Sequence, residues 1–158
     1  MKVRGTTDST NRIICMAINK LSFVMARISD QLLRQELLLT HAQFRMLMAI
    51  RHHGQISQKK VANFHGLSEA AISRQISPLL KKRFIATTVN AENRREHLLV
   101  LTDRGSQLAE RALRLLDRRF DKLIDSIGAE QKKKLAELLG VLLDVVCQSD
   151  DTICKVRR

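Results

Sequence analysis

Between Ser57 and Leu101 two helix starts, a glycine stop and a β-branched hairpin follow one another without interruption, and few folds accept that order. Ser57 is placed to cap a short helix containing Val61, Ala62 and Phe64, which Gly66 ends. Leu67-Ser68 opens the next helix at once, with Ser68 as N-cap and Glu69 well placed in the first turn. Ile72, Ile76, Leu79 and Leu80 give this second helix its apolar face. Two helices joined by a tight glycine-containing turn form a helix-turn-helix unit. Phe84 to Val89 is rich in β-branched residues, Asn90 to Glu96 is polar and turn-like, and His97 to Leu101 reads as a second strand. A hairpin placed directly after a helix-turn-helix is a wing.

The flanks are helical. Ile14, Ile18, Leu21, Met25, Ile28 and Leu32 recur at helical spacing with no Gly or Pro among them. They predict one long helix over 11–39, with a break between Leu33 and Leu39. Thr40 and Gln43 have the spacing of a capping box for a helix that buries Phe44, Leu47, Met48 and Ile50 and ends at Gly54. Thr102 caps a longer helix despite Gly105 in its first turn, and Leu108 to Ile127 supplies its stripe. Gly128 breaks that stripe, and Leu135 to Val146 forms a last amphipathic helix. The expected fold class is mainly α with a small β-hairpin wing. The chain reads as a single unit, with a winged helix-turn-helix lobe over 40–102 and dimerisation helices over 11–39 and 103–147. Residues 1–10 and 148–158 are expected to be flexible ends. The stripes on the outer helices exceed what a small winged domain can cover, so burial against a second copy predicts a two-fold homodimer.

Charge narrows the partner. The 158 residues carry 28 Lys and Arg against 16 Asp and Glu, a net charge of +12. Such an excess favours a polyanion, either nucleic acid or an acidic membrane. No apolar run approaches the ~18 residues of a spanning helix, and Met1 to Arg12 lacks the apolar centre of a signal peptide. Cys15, Cys147 and Cys154 are odd in number and lack CxxC spacing, as expected of thiols in a reducing cytoplasm. Trp and Tyr are absent, which argues against stacking on single strands, so the basic charge must act in another way. His41, His52, His53, His65 and His97 form no metal-ligand spacing with the cysteines, so neither a metal nor another cofactor is expected. No nucleophile, base or phosphate loop emerges, and no enzyme is expected.

The stretch Asn93-Arg94-Arg95-Glu96-His97-Leu98-Leu99-Val100-Leu101-Thr102-Asp103-Arg104-Gly105 has a wing tip of Asp-x-Arg type, with Asn for Asp, and a strand ending in Leu-Thr-x-x-Gly. With Leu39-Thr40-x-x-Gln43, and Leu67-Ser68 through Ser73-Arg74, it resembles the multiple-antibiotic-resistance regulator (MarR) family of winged helix-turn-helix transcription factors. The likeness runs from about Asn11 to Val146. Three positions depart from it: Asn93 replaces the usual wing Asp, Arg83 stands where a Gly often ends the recognition helix, and Pro78 lies late in that helix and should kink it.

Two surfaces are suited to reading a duplex. Ser68, Glu69, Ala70, Ser73, Arg74 and Ser77 form the outward face of the second helix, small enough to enter a major groove. There Arg74 can fork onto a guanine edge, with a phosphate or Glu69 as its alternative partners. At the wing, Arg94 and Arg95 sit at a hairpin tip within reach of a minor groove. The resemblance assigns Arg94 to the groove and Arg95 to a brace with Asn93. Lys59, Lys60, Lys81 and Lys82, with Arg83, bracket the motif and would meet phosphates. The resemblance also implies a repressor on a pseudo-palindromic operator, relieved by a small-molecule effector; Met25, Phe44, Leu47, Met48 and Leu116 are candidates to line its crevice, with plain core as the alternative for each. Some relatives sense peroxides through a first-helix cysteine, but Cys15 lacks the accompanying tyrosines and is expected to be a buried structural residue. The main alternative is a nucleoid-type architectural DNA binder with little sequence preference; a basic module docking on an acidic protein is a further rival.

Overall fold

The computed structural model describes residues 7–94 and 96–149. Six α-helices and three strands run in the order α1 (Thr7–Leu37), α2 (His41–His53), β1 (Gln55–Ser57), α3 (Gln58–His65), α4 (Glu69–Lys81), β2 (Ile85–Val89), β3 (His97–Leu101), α5 (Asp103–Ile124) and α6 (Ala129–Ser149). A short 3₁₀ turn, Asp125–Ile127, and Gly128 separate the last two helices. This is the expected winged-helix class. The chain divides into two compact units, one reaching to His41 and the other starting at Ala42.

In the first unit, α1 runs unbroken to Leu37 and ends inside the 33–39 window where a break is expected. Leu38 then takes a left-handed backbone (φ 51°) and its N–H bonds to the Arg34 carbonyl. Asp30 accepts from the His41 backbone N–H at 2.8 Å and from Arg34 Nε at 2.6 Å. These bonds, the Arg34 one first, hold its carboxyl below the usual range. Cys15, expected to be buried, is exposed along with Ile13, Ile14 and Met16. The spacing is helical as expected, but the apolar face of this half of α1 is uncovered in the single chain.

In the second unit, three local closures fix the helix-turn-helix. Ser57 Oγ caps α3 by accepting from Lys60 N–H, and Ser68 Oγ caps α4 by accepting from Ala71 N–H. Gly66 (φ 62°) ends α3, with Leu67 N–H bonded to the Ala62 carbonyl, the left-handed stop that glycine adopts without a Cβ clash. The same geometry ends α4, where Phe84 N–H reaches the Leu79 carbonyl and Arg83 N–H reaches Leu80. There Arg83 occupies the left-handed position at φ 55°, which explains why glycine suits that site. Helix α4 continues past Pro78 to Lys81. The Arg74 carbonyl therefore loses the amide donor that any other residue at 78 would supply.

The sheet is antiparallel in the order β1-β3-β2. Ile56 pairs with Leu99 and Thr87 with the other side of Leu99. Strand β1, absent from the sequence expectation, joins the wing to the start of α3. Ile56, Val61, Ile72, Ile76, Leu79, Ile85 and Leu99 are all buried, each worth about 1.5–3 kcal/mol when removed from water. Thr102 Oγ1 donates to the Arg83 carbonyl at 2.8 Å and accepts from Gly105 N–H, while Thr102 N–H bonds to the Phe84 carbonyl. A Cβ on Gly105 would sit 1.8 Å from the Phe84 oxygen. The Leu-Thr-x-x-Gly pattern thus seats the start of α5 on the end of α4, and only a glycine fits.

Candidate nucleic-acid interface

Helix α4 is divided cleanly. Ile72, Ile76 and Leu79 are at most 2% exposed, whereas Ser68, Glu69, Ala70, Ser73, Arg74 and Ser77 all face solvent. The split follows from helical periodicity: three large apolar residues at i, i+4 and i+7 turn the small and polar ones outward. No ion pair joins Arg74 to Glu69, the intramolecular alternative for this guanidinium. Gln58 Nε2 donates to the Glu69 carbonyl at 3.2 Å, tying the first turns of the two helices together.

Lys59 and Lys60 are exposed in the first turn of α3, and Lys81, Lys82 and Arg83 are exposed around the end of α4. At the wing, Asn93 and Arg94 are exposed, and Arg94 makes no ion pair with another described residue. Arg95, assigned by resemblance to a brace with Asn93, lies outside the described residues, as does Cys154. The crevice residues fall differently. Phe44, Leu47 and Leu116 are buried as core, and Met25 and Met48 are half-buried.

Two features of this unit were not legible as sequence motifs. The root of the wing is closed by Asn90 and Glu96: Asn90 Nδ2 donates to Glu96 Oε2 at 2.7 Å, and Asn90 N–H donates to the Glu96 carbonyl at 2.9 Å. Asn90 Oδ1 also accepts from Glu92 N–H, an Asx turn that starts the tip. Glu96 is held below the usual carboxylate range by the Asn90 bond first, then by a bond from the Ser57 hydroxyl, with Lys60 and Lys59 adding their fields. The second feature is His65 at the end of α3, whose buried Nε2 has no hydrogen-bond partner. Burial, with Arg45 nearby, pushes its pKa down to about 4, so the ring is neutral at physiological pH.

Among the described residues, no three His, Cys, Asp or Glu side chains assemble into a metal site, and no helix is long and apolar enough to cross a membrane.

Residues 39–97, spanning α2 through the wing tip, match the MarR family model. The chain is 34% identical over 108 residues to the HTH-type transcriptional regulator YdcH of Bacillus subtilis, covering 66% of this chain and 73% of that protein. The chain belongs to the MarR family. It is a winged-helix, DNA-binding transcriptional regulator, in a family of non-enzymatic regulators. Matches to three further HTH-type transcriptional regulators span 60–62% of those proteins' own lengths. The fold is shared with apo MarR from E. coli at a TM-score of 0.74 and 23% identity, over 90% of this chain and 99% of that one. It is shared also with a MepR variant from S. aureus bound to an oligodeoxyribonucleotide, at a TM-score of 0.58 and 23% identity, over 84% and 97% of the two chains.

Proposed function

We propose that this MarR-family regulator is a cytoplasmic homodimeric repressor that reads a pseudo-palindromic operator with α4 and the wing. The carrying observation is the outward face of α4, small and polar from Ser68 to Ser77 with Arg74 outside any pair with Glu69. That face suits a major groove. Arg94 at the wing supplies a guanidinium for the adjacent minor groove, and Lys59, Lys60, Lys81 and Lys82 supply phosphate contacts. The oligonucleotide-bound MepR variant of the same fold supports this use of the lobe.

Dimerisation is supported by uncovered apolar surface. Met16 (65% exposed), Phe23 (62%), Leu138 (61%) and Val141 (64%) stand out on α1 and α6, more than a monomer leaves in water without a partner. Two-fold pairing would set the recognition helices ~34 Å apart, one DNA turn. Relief of repression by a small molecule is part of this reading through the family. The excess of positive charge favours a second reading, an architectural binder with little sequence preference.

Arg74→Ala and Arg94→Ala separate the two. Each should cost ~1–3 kcal/mol of discrimination between a selected duplex and a scrambled one, with circular dichroism unchanged. Equal weakening on both duplexes would favour the architectural reading.

A further inference from the structure

The hydrogen bonds at the wing root concern a residue that none of the DNA-reading assignments uses. Glu96 accepts from Asn90 across the mouth of the hairpin, and its backbone closes the same mouth through Asn90 N–H to its carbonyl and its own N–H to the Asn93 carbonyl. Around it lies a cleft of about 510 Å³ bounded by Gln55, Lys60, Thr88, Asn90 and Leu98. Ser57, the buried N-cap of α3, is paired with Leu98 in the β1–β3 ladder and lines the same cleft as Glu96. The carboxylate that holds the wing root therefore shares that cleft with the cap of the helix-turn-helix.

We propose that Glu96 is a specificity-determining positioning residue. It latches the root of the wing, beside the cleft it shares with Ser57 and Lys60, so that Arg94 is presented at a fixed angle to α4, and it offsets the charge of Lys59 and Lys60 beside it. The two roles act in opposite directions on DNA. The latch favours the correct operator, because a groove contact by a side chain on a loosened hairpin loses its geometry. The negative charge weakens binding to any duplex, because it opposes the phosphates that the lysines meet. The proposal rests on the reading of the wing as a DNA contact.

The test compares the full-length protein with Glu96→Ala, Glu96→Gln, Asn90→Ala and Arg94→Ala on a duplex selected from a random pool and on a scrambled duplex of equal length, across salt concentrations. Glu96→Ala should lower the specific-to-scrambled affinity ratio by roughly tenfold while raising scrambled affinity about threefold and steepening the salt slope by about one. Glu96→Gln keeps an acceptor for Asn90 but drops the charge, so it should raise scrambled affinity equally and keep most of the ratio. Asn90→Ala removes the side-chain bond and keeps the charge, so it should lower the ratio with scrambled affinity unchanged.

Should Glu96→Ala fail to fold, the Gln and Asn90 variants carry the same two signatures separately. An unchanged ratio in Glu96→Ala and Asn90→Ala, with Arg94→Ala still reducing it, overturns the proposal alone. An unchanged ratio in Arg94→Ala overturns the wing reading beneath it. Equal loss on both duplexes in the Glu96 and Asn90 variants also overturns the proposal, since that is the signature of a purely structural role.

Discussion

The helix-turn-helix lobe and the outer helices carry apolar residues at the same helical spacing, yet the lobe buries its stripe within the chain while much of the stripe on α1 and α6 stays exposed. In the lobe, Ile72, Ile76 and Leu79 are buried and both ends of α3 and of α4 are closed by a side-chain cap or a left-handed stop. On α1 and α6, Phe23, Leu138, Val141 and Val145 remain exposed. The contrast teaches that periodicity gives an element its type and face but not the identity of what covers that face. The lobe is closed by its own residues; the exposed faces of α1 and α6 have no cover in the single chain.

The strongest way to break the local half of this comparison is Gly105→Ala. Its Cβ would collide with the Phe84 oxygen, so unfolding in urea should show a loss of about 3 kcal/mol or more. A midpoint equal to that of the parent chain would show that the seat of α5 on Phe84 is dispensable.

The other half is tested by charging α6. Leu138→Glu with Val145→Glu places two carboxylates on one exposed face. Sedimentation should then report a monomer with the lobe still folded, and operator affinity should fall by roughly 100-fold as bivalency is lost. A charged variant that stays dimeric would move the interface elsewhere.

A smaller effect sharpens the picture of the lobe core. His65 titrates at 6.5 in an unfolded chain and at about 4 in the folded one, where burial disfavours its charged form. Its contribution is therefore whole above 6.5 and is lost as pH falls toward 4. Because the ring is only half-buried, the loss should be about 2 kcal/mol. His65→Phe should remove this part of the acid sensitivity in denaturation curves; identical slopes in the two proteins would contradict the assignment.

The smallest effect concerns the two left-handed stops. Gly66 adopts its φ freely, while Arg83 holds φ 55° against its own Cβ. Arg83→Gly should raise stability by about 1 kcal/mol in the same assay. It should also weaken DNA slightly through the lost cation.

What the sequence made legible was chemistry that acts over three or four residues. Ser57, Ser68 and Thr102 were readable as caps because a hydroxyl before an apolar run has one nearby use, and the α4 face followed from its period. Strand β1 was not, since Gln55-Ile56-Ser57 is too short to show alternation and exists only by pairing with β3. The grip of Asp30 on His41 and of Glu96 on Asn90 joins residues with no periodic relation. Gly105 looked like a flaw in a helix start until its contact with Phe84 was seen. Cys15 reads as a buried structural residue because it lacks accompanying tyrosines, yet it is exposed.

The central claim is that the lobe reads sequence, in pairs. Selection of bound duplexes from a random pool, repeated across salt concentrations, tests it most directly. The account predicts enrichment of an inverted repeat with half-sites one turn apart, retained as salt rises. Enrichment of no sequence, with binding that simply fades as salt rises, would contradict it.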